Sequence, residues 1–188
     1  MYASPPPWDI GRPQPAFAGL ARAGLIRGRV LDAGCGTGEH ALMAAGLGLD
    51  VTGIDLAVSA LDTARQKARQ RGRTARFLRH DARNLAGLGE SFDTVLDCGL
   101  FHLFGGDDRT AYAGSLRSVL VPGGRCFLLC FSNAQPPGSR ARVHPVSQDE
   151  IRAAFADGWR VDAIDPATID STAEPDGITA WLAALTRT

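Results

Sequence analysis

A chain of 188 residues and 19.9 kDa, 45% of them hydrophobic, can bury one full core and has little left over for a second domain. Its 20 basic and 20 acidic side chains cancel, which argues against a nucleic-acid substrate, because such a partner calls for a basic stripe that displaces counterions. There is no basic segment followed by an apolar core at the start and no apolar run of membrane-spanning length, so a soluble, cytoplasmic protein with no membrane partner is expected. The four cysteines form no C-x-x-C pair and no Cys/His cluster, which points to reduced thiols and no metal. One lysine beside abundant arginine, alanine and glycine suggests a GC-rich bacterial genome.

In chain order, a Pro-rich leader, residues 1–15, contains Pro5–Pro6–Pro7 and then Pro7–Trp8–Asp9–Ile10–Gly11–Arg12, and a first helix is predicted over Ala16–Ala23. Gly28–Arg29–Val30–Leu31–Asp32–Ala33 reads as an apolar strand running into the turn Gly34–Cys35–Gly36–Thr37–Gly38, which opens a helix over Glu39–Leu47. Backbone N–H groups approach nucleotide-like ligands in this geometry. A dinucleotide site uses G-x-G-x-x-G to seat a pyrophosphate, whereas here the spacing is G-x-G-x-G behind the carboxylate of Asp32. A second strand, Asp50–Leu56, ends at Asp55, 21 residues after Gly34, where a doubly wound fold places the acid that takes ribose hydroxyls. Ser59–Arg71 is predicted as a helix with Leu61, Ala64 and Ala68 on one face.

A third strand, Ala75–His80, ends at Asp81–Ala82, and the basic run from Arg65 to Arg83 around it reads as a solvated helix face and loop. A fourth strand, Phe92–Cys98, is followed by Gly99–Leu100–Phe101–His102–Leu103–Phe104 and a helix over Arg109–Leu120. A Pro122–Gly123–Gly124 turn then introduces a fifth strand, Arg125–Phe131. Ser132–Val146 is predicted as a loop, Gln148–Phe155 as a helix, and Trp159–Asp165 and Gly177–Leu185 as late strands. Alternating strands and helices imply a single α/β domain built on a doubly wound, Rossmann-like, mostly parallel seven-stranded sheet. Taken locally, each glycine also suits an ordinary tight turn, and Asp55 and Asp81 also suit helix N-caps.

The glycine turn behind Asp32, the acids at Asp55 and Asp81, and the Pro-Gly-Gly turn occur in an order and spacing that resemble class I S-adenosylmethionine (SAM)-dependent methyltransferases. The resemblance implies SAM as cofactor and an antiparallel hairpin at the end of the sheet. It assigns cofactor contacts to Gly34, Gly36 and Gly38, to Asp55 and Leu56 at the ribose, to Asp81 and Ala82 at the adenine, and to Cys98 at the end of the fourth strand. Asp32 is expected to attract the cofactor's ammonium, directly or through water. The leader is similar to the Pro-Trp-Asp-x-Gly-Arg segment of thiol, halide and thiopurine methyltransferases, which implies that Trp8 lies over the SAM site. An indole face attracts a sulfonium and excludes water from it. The acid at Asp32 departs from that group, and a closer likeness is to actinobacterial methyltransferases of the heterocyclic-toxin type.

Chemistry is expected at the carboxyl ends of the strands. His102 has an ordinary pKa suited to taking a proton from a phenol, N-hydroxyl or ring N–H, although a structural histidine lining the pocket satisfies the same pattern. Phe17, Phe101, Phe104 and Phe131 are candidate walls for a small aromatic or heterocyclic acceptor carrying a hydroxyl, nitrogen or thiol. A non-catalytic SAM-binding protein and a nicotinamide oxidoreductase are the alternatives.

Overall fold

A computed structural model describes residues 6–134 and 144–188. Its sheet has seven strands: β1 (Arg29–Ala33), β2 (Asp50–Asp55), β3 (Arg76–Arg79), β4 (Phe92–Cys98), β5 (Leu120–Phe131), β6 (Trp159–Ile169) and β7 (Ile178–Arg187). Their order across the sheet is β3-β2-β1-β4-β5-β7-β6. The first five run parallel, as the sequence pattern predicts, and β7 lies antiparallel between β5 and β6, in keeping with the antiparallel hairpin that the resemblance implies. Among the described residues five α-helices accompany them: α1 (Pro15–Arg22), α2 (Glu39–Gly46), α3 (Val58–Gln70), α4 (Asp107–Val119) and α5 (Gln148–Ala154).

Side chains alternate across a strand, and the two faces of the sheet bury separate cores. Val30, Val51, Leu96, Phe127 and Leu129 pack with Phe17, Leu42 and Leu61 from α1, α2 and α3. Their neighbours Leu31, Ile54, Val95 and Leu128 face the other way, onto Tyr112 and Leu116 of α4 and Ile151 of α5. β1 and β4 are buried on both faces along most of their length, as central parallel strands are. α4 carries Asp107 and Asp108 in its first turn, where the helix dipole favours negative charge. Its buried residues Arg109, Tyr112, Ala113, Leu116 and Val119 recur at helical spacing on one stripe. Fully burying a side chain such as Leu116 contributes about 1.5–3 kcal/mol.

Three elements differ from the sequence reading. Pro122–Gly124 does not turn the chain before β5; the strand starts at Leu120, paired with Phe92, and the register slips before Arg125 pairs with Thr94. Proline has no N–H for the ladder and Gly123 has φ +76°, so the segment forms an irregularity within the strand. β6 continues past Asp165 through Pro166 to Ile169, which is possible because β6 is an edge strand and its proline needs no second partner. The stretch Ala82–Leu88 after β3 coils into 3-10 turns, held to α4 by Ser115, whose hydroxyl donates to the Ala82 carbonyl and accepts from Leu85 N–H. Much of the basic run is ion-paired rather than simply solvated, with Lys67 and Arg71 both on the Glu39 carboxylate. All four cysteines are free thiols. Of the predicted loop, residues 135–143 lie outside the described part, as does Pro5.

Candidate functional site

A cavity of about 530 Å³ runs along the carboxyl ends of the parallel strands. The glycine turn after β1, Asp55 and Leu56 after β2, Asp81 and Ala82 after β3, and Cys98 with His102 after β4 all line it. The leader closes its outer side through Trp8, Asp9 and Ile10. Such a crevice at the strand ends is where doubly wound sheets bind ligands.

The glycine turn is shaped for a ligand without a pyrophosphate. Cys35 N–H donates to the Ile54 carbonyl (2.8 Å), Gly38 N–H to the Cys35 carbonyl (2.8 Å) and Gly36 N–H to Asp55 Oδ2 (2.9 Å). Amides already used in this way do not form an anion nest, and the acidic Glu39 occupies the first turn of α2 where a phosphate would otherwise sit. Gly36 has φ +52° with open space where a Cβ would stand, so its backbone faces the cavity uncovered. Gly38 is required for another reason: its φ is +86° and a Cβ would lie 2.9 Å from Ala64, so it seats α2 against α3 and does not reach the cavity wall.

Asp55 is fixed from both oxygens, Oδ1 accepting from Ala57 N–H (2.8 Å) and Oδ2 from Gly36 N–H. Each carboxylate oxygen keeps a second lone pair for a hydroxyl. Asp81 is bridged by Arg83 (2.7 Å) and its carboxyl is held below the usual range chiefly by that guanidinium.

Asp32 is placed differently from the expectation. It is buried, absent from the cavity wall, and its Oδ2 accepts from Ala41 N–H at 2.9 Å. Ala41 lies in the first turn of α2, whose N–H groups have no partner within the helix. The carboxylate therefore ties β1 to α2 behind the turn, and among the described residues its Oδ1 has no protein partner. Burial pushes its pKa up to about 7, opposed by the bond from Ala41.

The leader is bolted down. Asp9 Oδ2 accepts from the Thr37 hydroxyl (2.9 Å) and Oδ1 lies 3.6 Å from Lys67 Nζ, which also bonds Glu39 at 2.8 Å. The Pro7 carbonyl accepts from Thr172 N–H (2.8 Å), and the Gln14 side chain pairs with both backbone groups of Asp170. Trp8 thus stands at the mouth of the cavity with 62% of its surface exposed.

After β4, Asp97 organises the turn that presents His102. Its Oδ1 accepts from Leu100 N–H (2.9 Å) and its Oδ2 from the Tyr112 hydroxyl (2.9 Å). Burial drives its pKa to about 7 against those bonds. The following 3-10 turn, Phe101–Leu103, sends consecutive residues opposite ways. Phe101 is buried against Phe155 and Tyr112 and is not part of the cavity, whereas His102 and Phe104 line it. His102 stacks on Phe131, with ring centroids 4.2 Å apart and planes 8° apart, and its Nδ1 accepts the Phe131 backbone N–H at 3.2 Å. A backbone N–H only donates, so Nδ1 is the bare nitrogen and the single ring proton sits on Nε2. Burial, helped by the Arg109 charge, lowers its pKa to about 4. The ring is neutral at pH 7, with its Nδ1 lone pair turned to Phe131 N–H and its Nε2 proton left over.

Phe17 also lies away from the cavity, buried edge-on against His40 (4.9 Å). His40 Nε2 in turn accepts from Gln14 N–H. Asp9, Thr37, Leu103 and Ile169 line the cavity without having been singled out in the sequence. Asp9 could have been found in the leader motif itself; Ile169 could not, because only sheet pairing brings the end of β6 there.

A doubly wound sheet with a cavity at its strand ends, and a glycine turn whose amides are already bonded, define the class: a cofactor-binding α/β fold without a seat for a pyrophosphate. Residues 30–124 match the model of a methyltransferase domain family. The chain is 38% identical over 170 residues to the 2-heptyl-1-hydroxyquinolin-4(1H)-one methyltransferase of Mycobacteroides abscessus, covering 90% of this chain and 75% of that protein. It is 32% identical over 147 residues to a probable thiol methyltransferase 2 of Arabidopsis thaliana, covering 77% and 65%. It is also similar to a solved structure described under the conversion of a disulfide bond into a thioacetal group during echinomycin biosynthesis, with a TM-score of 0.87, 43% identity, and coverage of 97% of this chain and 85% of that one. The chain belongs to the class I SAM-dependent methyltransferases and is an enzyme acting on small molecules with SAM as its cofactor. The nicotinamide alternative falls with this assignment.

Proposed function

We propose that this methyltransferase transfers its methyl group to an oxygen, nitrogen or sulfur of a small, planar aromatic or heterocyclic acceptor. The stacked His102–Phe131 pair carries the reading, since it gives the cavity a flat aromatic surface, in a wall that also includes Phe104, Leu103 and Trp8. The relative named for a hydroxyquinolone supports an acceptor of that kind.

Gly34, Gly36, Asp55, Leu56, Asp81, Ala82 and Cys98 are the residues proposed to hold SAM; Asp32 and Gly38 support them from behind. The uncovered backbone at Gly36 and the free lone pairs of Asp55 fit an uncharged ribose and an amino-acid tail. Bound SAM supplies an electrophilic methyl group on a sulfonium. The chain's own work is to align an acceptor with that methyl, exclude water and keep the pocket dry, with Trp8 as the cover. The protein is proposed to act in the cytoplasm without a nucleic-acid partner. Calorimetric titration with SAM and NAD in parallel, followed by a screen of phenols, N-hydroxy heterocycles and thiols with mass detection of a 14-Da adduct (about one CH₂), tests the reading. SAM binding without turnover on any acceptor would indicate a non-catalytic binder.

A further inference from the structure

Resting on the methyltransferase reading, the arrangement around His102 narrows the acceptor class. We propose that the acceptor binds already ionised, having lost its proton to solvent, and that His102 receives the anion as a hydrogen-bond donor through Nε2–H. The bare nitrogen of the ring is committed to Phe131 N–H, so the other nitrogen offers only a proton. It meets no protein acceptor among the described residues and is not sealed from the cavity.

Groups packed around this histidine give no substitute base. β4 brings Cys98, a thiol that burial keeps protonated, and Asp97, committed to Tyr112 and two backbone N–H groups. β5 brings Phe131 and the likewise protonated Cys130. α4 brings Arg109, which is bonded to the Phe104 carbonyl and paired with Glu150 of α5. Its positive charge lowers the His102 pKa, and the same field favours an anion beside the ring. The other ionisable side chains of the cavity are engaged too: Asp9 and Glu39 with Lys67, Asp81 with Arg83, Arg12 with Asp170, His40 through Nε2 with Gln14 N–H, and Cys35 as a thiol that burial keeps protonated, while Asp55 holds two backbone amides and keeps its remaining lone pairs for the ribose. His80 follows β3, three strand spacings from β4, or about 14 Å across the sheet.

The transfer then balances without an enzymic base. A lone pair on the acceptor anion forms the new bond to the methyl carbon, and the electrons of the breaking carbon–sulfur bond stay on sulfur. The acceptor loses its negative charge as the sulfonium loses its positive one, and no proton moves in that step. Selectivity follows: acceptors that ionise near or below neutral pH are substrates, and those that stay protonated are poor ones.

Nitrophenols of graded acidity test this, because phenol and phenolate absorb differently. With S-adenosylhomocysteine present, the ionisation of bound 4-nitrophenol is expected to shift to lower pH in the wild type. His102→Gln places an amide N–H close to the position of Nε2–H but carries no basic nitrogen; it should keep the shift and stay within about fivefold of wild-type kcat/KM. His102→Phe keeps a ring against Phe131 and should abolish the shift and lose roughly 10- to 100-fold in kcat/KM, the weight of one hydrogen bond to a charged group. In all three proteins kcat/KM should rise with pH along each acceptor's own ionisation. A Gln variant as impaired as the Phe variant, a pH profile set by one enzyme group whatever the acceptor, or failure of every nitrophenolate to bind would overturn the proposal. Methyl transfer to some acceptor in any of these cases leaves the methyltransferase reading standing; SAM binding with no transfer to any acceptor removes that reading as well.

Discussion

Tyr112→Phe removes one oxygen that, among the described residues, is bonded to a buried carboxylate. Tyr112 is fully buried and its hydroxyl donates to Asp97 Oδ2 at 2.9 Å, while Leu100 and Phe101 N–H groups serve Oδ1. Removing the hydroxyl leaves Oδ2 without a donor, and a hydrogen bond to a charged group contributes about 1.5–3 kcal/mol against about 0.5–1.5 kcal/mol for a neutral one. Burial raises the Asp97 pKa from 3.8 to about 7. Between those values the folded chain keeps a proton that the unfolded chain has lost, so the group's contribution to stability falls as pH rises through that window. Asp32, raised to about 7 by the same cause, acts in the same direction. In the variant, the penalty is therefore expected to be about 1 kcal/mol at pH 5.5, where Asp97 is protonated, and roughly 2–3 kcal/mol at pH 8.5, where it is charged. Urea unfolding of wild type and variant at both pH values measures the difference. Equal penalties at the two values would mean that Asp97 does not change its charge in this range, and a penalty near zero at both would mean that the hydroxyl is not bonded there.

Asp55→Ala should weaken SAM binding by about 1.5–3 kcal/mol for each ribose hydrogen bond lost, read by calorimetry on a folded variant; unchanged affinity would remove Asp55 from the site. Trp8→Ala should lower both SAM affinity and methyl transfer while leaving the melting temperature in place, because the indole is mostly exposed, and full activity would show that the leader does not cover the cofactor. Leu116→Ala, at a fully buried position on α4, should cost about 2–5 kcal/mol of stability in the same urea assay. A loss under 1 kcal/mol would contradict the packing of α4 on the sheet.

The sheet and the turns that line its cavity were legible in the sequence because both depend on short-range spacing. An apolar run, a glycine turn and an acid two strands' length away suffice to place Gly36 and Asp55 at one edge of a parallel sheet. Roles that depend on which way a side chain points were not legible. Asp32 sits one pleat from the turn, and only the packing of α2 on β1 shows that its carboxylate serves Ala41 rather than the cavity. Phe101 and His102 are neighbours in the chain, yet the 3-10 turn buries one in the core and aims the other into the cavity. The largest change concerns His102 itself. Residue type supplied an imidazole with an ordinary pKa, but the proton's position on the ring is set by an amide 29 residues further along, delivered by β5. The sequence thus determined that a histidine follows β4 at the cavity, and the pairing of β5 with β4 determined which of its nitrogens carries the proton. Local spacing encodes turns and strand ends, whereas the tautomer of a buried ring follows from contacts that exist only once the sheet has assembled.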